Sequence, residues 1–192
     1  LPGLFDPPML AEIAEIVAAI PREKLELHEL KRFGRFIVHD HPPFTELQRT
    51  LVDRVSQWAG EPVEPSYNFL SLYTKLGVCE PHLDAPSAKW TLDVCIGQSE
   101  PWPIQFSQIL PWPEAPVELG DDWRGELKAR PDLHYRSMTL QPGDAVLFSG
   151  SSQWHYRDAL PRGKGKQFCD LLFFHFIPAG TAELVRPGNW AR

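Results

Sequence analysis

The sequence is poor in the features that mark several protein classes. Its three cysteines, Cys79, Cys95 and Cys169, are odd in number and far apart. They make neither a disulfide framework nor a zinc-finger pattern, which predicts a reduced, cytoplasmic compartment. No apolar run reaches the roughly 18 residues of a membrane span, and no secretory leader is visible. No block of basic residues occurs and the formal net charge is −6. Nucleic acid and anionic membrane are therefore poor partners. No stretch reads as a linker, so the 192 residues are expected to form a single domain with a sizeable core. What is plentiful is proline, at 20 residues, together with seven tryptophans. Frequent proline favours a loop-rich β architecture over a helix bundle.

The helical part is expected at about residues 1–62. Asp6, Pro7 and Pro8 open a helix over 7–20, with Met9, Ile13, Ile16, Val17 and Ile20 at helical spacing. A second helix is expected over about 43–59, with Phe44, Leu47, Leu51, Val55 and Trp58 as its stripe and Gly60 as its stop. Between them, Phe36-Ile37-Val38 reads as a strand end. His39-Asp40-His41 reads as the turn before Pro42-Pro43 rather than a metal cluster.

From about residue 63 to 180 the texture is strand after strand. Tyr67, Phe69, Ser71 and Tyr73 alternate with their neighbours, and Ala88 to Ile96 keeps a period of two. Further strands are expected over 104–109, His134 to Leu140, Ala145 to Phe148 and Gln167 to Ile177. Gln141-Pro142-Gly143-Asp144 is a tight turn, and residues 110–132 read as a long loop. The pattern predicts a mainly β fold with N-terminal helices, an antiparallel barrel or jelly roll.

The chemistry centres on His82-Leu83-Asp84. In extended chain, residues i and i+2 share a face, so the imidazole and the carboxylate can meet one metal ion. That pair is weak alone. His155, which follows Pro-Gly-Asp and an apolar strand, is the natural third ligand of a 2-His-1-carboxylate site with open positions for Fe(II). His175, in Phe173-Phe174-His175-Phe176, reads as a packed, hydrogen-bonded core residue, and His28 and His134 as surface. Arg157, Arg162, Lys164 and Lys166 form a basic cluster. Most of it reads as a solvated turn, but Lys166 leads into a buried strand and could pair with a carboxylate inside the barrel.

His82-x-Asp84, His155 and a basic residue, Lys166, after ten intervening positions resemble the Fe(II)/2-oxoglutarate-dependent dioxygenases. The spacing from Tyr73 to His82 and Asp84 resembles the prolyl 4-hydroxylase-like branch. The likeness covers about residues 67–178. It implies a double-stranded β-helix of cupin-like type, with a jelly-roll core over about 63–180. It also implies Fe(II) and 2-oxoglutarate as cofactors, with ascorbate as a candidate reductant. Lys166 would hold the far carboxylate of the cosubstrate with help from Tyr73, and Arg157, two residues from His155, is its rival. The implied reaction is hydroxylation of an unactivated C–H bond of an amino acid, peptidyl residue or small metabolite, with release of succinate and CO2. Asp84 argues against halogenation, because the related halogenases lack that carboxylate.

Asp93 and Thr91, on one strand face, are candidate substrate contacts if that face is interior, with Trp90 and Leu92 in their place if it is exterior. Trp102 is a further candidate substrate contact, and Trp102 and Trp112 read either as a lid or as packing on the barrel's outer wall. The residues leave open a cupin-type metal-binding domain, either a dioxygenase without 2-oxoglutarate or a non-catalytic ligand-binding jelly roll. The long interval from Asp84 to His155 fits an inserted loop at about 98–133.

Overall fold

The computed structural model describes residues 1–111 and 120–186. Helix α1, Pro7–Ala19, begins as the sequence predicts: the Asp6 side chain accepts from the Met9 N–H, and two prolines fill the first turn. A short α2, Leu30–Phe33, leads into β1, Arg35–His39. The expected second helix is two helices, α3 at Pro42–Thr50 and α4 at Val52–Ala59. At the break the Thr50 hydroxyl takes the Leu47 carbonyl at 2.7 Å, and the Leu51 N–H bonds three residues back, to Gln48. A side chain that competes for a helical carbonyl loosens the helix at that point.

The strands follow. They are β2 at Val63–Tyr73, β3 at Cys79–His82, β4 at Trp90–Gln98 and β5 at Ile104–Phe106. Next come a short α5 at Trp123–Ala129, β6 at Arg136–Met138 and β7 at Ala145–Phe148. The last two are β8 at His155–Arg157 and β9 at Cys169–Pro178. The strands over 104–109 and 134–140 are shorter than the sequence suggests. The long loop expected over 110–132 contains α5, whose Leu127 is fully buried and whose Arg124 pairs with Glu80 of β3 at 2.6 Å. Trp112 lies outside the described residues.

Two antiparallel sheets face each other. The larger has strand order β1-β2-β9-β4-β7 and the smaller β3-β8-β5-β6. This is a double-stranded β-helix, the fold class the sequence predicts. Alternation along the strands splits the apolar residues into two layers. Leu70, Leu92, Val94, Leu172, Phe174 and Phe176 pack outward against Ile13, Phe44, Leu51 and Val55 of the helices. Tyr73, Cys95, Trp102, Ile104, Phe148 and Leu171 fill the space between the sheets. Among the described residues no helix is long and apolar enough to cross a membrane.

Candidate metal centre

His82 ends β3 and His155 opens β8, and the two are paired directly across the smaller sheet. Asp84 follows two residues after His82, its N–H bonded to the Gly150 carbonyl at 2.9 Å. One donor atom from each of the three lies within 4.8 Å of the other two. The Nε2 atoms of His82 and His155 are 3.5 and 3.6 Å from the same oxygen, Asp84 Oδ1.

Each imidazole is fixed by the carbonyl two residues before it. His82 Nδ1 donates to Glu80 O at 2.7 Å, and His155 Nδ1 donates to Gln153 O at 2.9 Å. With the proton held on Nδ1, the Nε2 lone pair of each ring is free for a metal. Thr91 holds the other Asp84 oxygen, its hydroxyl donating to Oδ2 at 2.9 Å, so Oδ1 is the oxygen left for an ion. Burial disfavours ionised Asp84, but the charge and hydrogen bonds of His155 and His82 outweigh it and hold the carboxyl well below its usual range. Two imidazole nitrogens and one carboxylate oxygen are a donor set that would suit a non-haem Fe(II) ion.

Gly150 is part of this geometry. A Cβ at that position would stand 2.3 Å from Asp84 Oδ2 and 2.6 Å from Thr91 Oγ1. Only glycine lets the chain pass so close behind the carboxylate. The Gly150-Ser151-Ser152 break before His155 carries that signal in the sequence, but its distant neighbours are visible only in the fold.

The three residues open onto a cavity of about 200 Å³ between the sheets. Tyr73 and Arg157 line it, as does Arg35 of β1, a residue that sequence reasoning passed over. Arg35 is paired with Tyr73 across the β1–β2 register and donates to the Tyr73 hydroxyl at 2.8 Å. Its Nε bonds Glu29 at 2.5 Å. Burial opposes the guanidinium charge, yet the neighbouring Tyr73, Cys79 and Glu29 leave Arg35 above its ordinary pKa. Burial also raises the Tyr73 phenol and keeps its proton on. Arg157, at 3% exposure, pairs with Asp93 at 2.7 Å and donates to the Trp102 carbonyl. Burial raises the Asp93 carboxyl even beside Arg157, and Asp93 Oδ1 has no protein partner. Among the described residues the cavity therefore holds a metal-type donor set at one place and two guanidinium groups with a phenol at another. That is a fit for a small anionic chelate.

The other expected residues fall into place unevenly. Lys166 is exposed and lines another hollow, of about 620 Å³, together with Val17, Phe36, Leu72, Lys75 and Asp170; Tyr73 borders both this hollow and the cavity. These residues come from α1, β1, the end of β2 and just beyond it, and the start of β9, and Lys166 is not among the residues that line the cavity of the triad. Gly165, at φ +88°, turns the chain just before Lys166, and β9 begins three residues after Lys166 and contains no lysine or arginine. Arg162 and Lys164 are exposed as well. The face carrying Thr91, Asp93 and Cys95 is interior, but Asp93 is spent on Arg157 and Thr91 on Asp84. Trp102 is no lid: it is 2% exposed, edge-on to Tyr73 and under Arg157, and its Nε1 donates to Asp158 O. His175 is buried and hydrogen-bonded as expected, and it also lines the cavity, as does His39.

No protein-family model matches the chain, and no curated protein matches its sequence. Solved structures do match its fold. HygX from Streptomyces hygroscopicus, with nickel and 2-oxoglutarate bound, superposes at a TM-score of 0.66 and 14% identity, over 94% of this chain and 82% of that one. The epimerase SnoN, in complex with Fe3+, alpha ketoglutarate and nogalamycin RO, gives 0.65 and 19%, over 100% and 86%. The carbocyclase SnoK from nogalamycin biosynthesis gives 0.66 and 11%, over 96% and 83%. This chain shares the fold of non-haem, 2-oxoglutarate-dependent enzymes.

Proposed function

We propose that this chain, which has the fold of 2-oxoglutarate-dependent enzymes, is itself an Fe(II)- and 2-oxoglutarate-dependent oxygenase acting on a small molecule. The observation that carries the reading is the pair of imidazoles, each with its proton fixed on Nδ1 and its Nε2 turned to Asp84 Oδ1. His82, Asp84 and His155 hold the metal in this reading. When bound, iron and the oxoacid together supply oxidation of an unreactive C–H bond, with release of succinate and CO2.

The chain's own residues position and shield. Arg35 donates to the Tyr73 oxygen, which leaves the phenolic proton for a carboxylate oxygen of the cosubstrate. Arg157 sits two residues from His155 on the same inward face, so its charge lies farther along the cavity than the metal donors. Arg157 and Arg35, flanking Tyr73, replace Lys166 as the anchor of the far carboxylate. Asp93 and Glu29 hold the two guanidinium groups in place before any ligand arrives.

Hydroxylation is the proposed outcome, with Asp84 retained as a ligand and no room made for a halide. SnoN is an epimerase and SnoK a carbocyclase, so product analysis decides between outcomes. The small-molecule reading rests on the size of the cavity and on the hygromycin B and nogalamycin RO seen in the similar structures. Anaerobic addition of Fe(II) and 2-oxoglutarate should give a weak visible charge-transfer band. Iron binding without such a band would favour a cupin-type site that does not use the oxoacid.

A further inference from the structure

Behind Asp84 runs a polar chain that the proposed reaction does not use. Thr91 Oγ1 is 2.9 Å from Asp84 Oδ2 and 3.0 Å from His175 Nδ1, while its other acceptor, Ala88 O, is at 3.5 Å. A metal-bound carboxylate has no proton to offer, so the Thr91 hydroxyl donates to it. That hydroxyl has one proton. Its contact with the imidazole is then completed only if His175 donates from Nδ1. A neutral ring with its proton on Nδ1 carries a bare lone pair at Nε2. Burial pushes His175 down to about 4, which keeps the ring neutral near pH 7.

His175 Nε2 is buried and has no partner in the protein. A buried acceptor left open is costly, and His175 lines the same cavity as the three metal-type donors. Rings surround it: Tyr67 stacks on His175 at 4.2 Å and Phe69 on Phe173 at 4.7 Å, and Ile37, Ile104 and Phe148 add apolar surface to the same cavity. The cavity's carboxylates are already engaged, Glu29 by Arg35 and Asp84 at the donor set, so an ammonium group would find no counter-charge.

Resting on the oxygenase reading, we infer that His175 is a substrate-recognition residue whose Nε2 accepts a hydrogen bond from a neutral hydroxyl group on a largely apolar, ring-sized substrate. The hydroxyl is set by the Thr91 chain at a fixed distance from the ligating carboxylate. This orients the substrate's neighbouring carbons toward the metal.

The test uses the full chain, 15N-labelled at histidine and loaded with Zn(II) and 2-oxoglutarate. The probes are cyclohexanol and its methyl ether, which has no proton to donate. His175 should show a protonated Nδ1 and a bare Nε2, and cyclohexanol should move the Nε2 resonance. The alcohol should bind about 10-fold more tightly than the ether. Asparagine places its amide nitrogen where Nδ1 stood and supplies nothing at Nε2. In His175→Asn the preference should therefore fall to within about 2-fold. In His175→Gln, whose amide oxygen reaches the Nε2 position, part of the preference should return. A proton found on Nε2, equal affinity for alcohol and ether in the unmodified chain, or no movement of the resonance with cyclohexanol would each overturn the inference. The Fe(II) charge-transfer band of the unmodified chain, measured in parallel, reports separately on the oxygenase reading.

Discussion

Strands β4 and β9 present two buried faces that do opposite jobs. Outward lie Leu92, Val94, Leu172, Phe174 and Phe176, each fully buried under the helices. Inward lie Thr91, Asp93 and His175, buried to within 2% as well. Burial alone does not separate the faces; what the buried groups require does. The outward side chains need only contact. Each inward one has a partner from another part of the chain: Asp84 for Thr91, Arg157 for Asp93, and Thr91 for His175. Asp93 Oδ1 and His175 Nε2 are left without a protein partner, and His175 lines the cavity. Stability and chemistry thus share the same strands on alternate residues.

The sharpest way to break this comparison is to cut one face at a time. Phe174→Ala should cost about 3–5 kcal/mol, read as a fall in thermal midpoint of roughly 10 °C. In the surviving folded fraction it should leave iron binding intact. Asp84→Ala should do the reverse. It should remove the charge-transfer band and all turnover while moving the midpoint by only a few degrees. If Asp84→Ala unfolded the chain as severely as Phe174→Ala, the division between faces would be wrong. Arg157→Ala tests the place where the two jobs meet. It leaves Asp93 buried without its ion pair, at a cost of about 3 kcal/mol. It should also raise the 2-oxoglutarate concentration needed for half-saturation, followed by the same band. Gly150→Ala is milder in stability, about 1–3 kcal/mol from overpacking. Its methyl group would push on Asp84 and Thr91, so iron affinity should fall about 10-fold by metal titration.

The parts of this arrangement that are local in sequence could be read from it. The His-x-Asp spacing and the turn before His155 depend on a few adjacent residues, and so does the device that fixes each imidazole, a carbonyl two positions back. The period-two run through β4 likewise put Thr91 and Asp93 on one face. Arg35 was not legible. It sits in a mixed, charged stretch with Lys31 and Arg32, both of which are exposed. Only the register of β1 on β2 brings Arg35, alone of the three, across from Tyr73. Gly150 was legible as a break but not as a close approach, since Asp84 and Thr91 are more than 50 residues away in the chain. Spacing from His155 points to Lys166, but counting residues ignores the turn at Gly165, after which Lys166 is exposed and lines the outer hollow.

Lys166 therefore provides the smallest expected effect and a direct contrast between inner and outer surfaces. It is exposed in the outer hollow, where its charge lowers Asp170 while burial pushes that carboxyl up to about 6. Removing it deletes no group from the cavity that holds Arg35, Tyr73 and Arg157. Lys166→Ala should leave half-saturation by 2-oxoglutarate within about 2-fold of the unmodified chain, well inside the tenfold that one charge-assisted hydrogen bond is worth. Arg35→Ala, measured beside it, should weaken the cosubstrate by about 10-fold, since it loses both the guanidinium and the orientation of the Tyr73 hydroxyl. The reverse ranking, a large loss with Lys166→Ala and none with Arg35→Ala, would mean that the turn at Gly165 moves when cosubstrate binds and carries Lys166 inward. The far carboxylate would then belong to Lys166, in the turn that leads into β9.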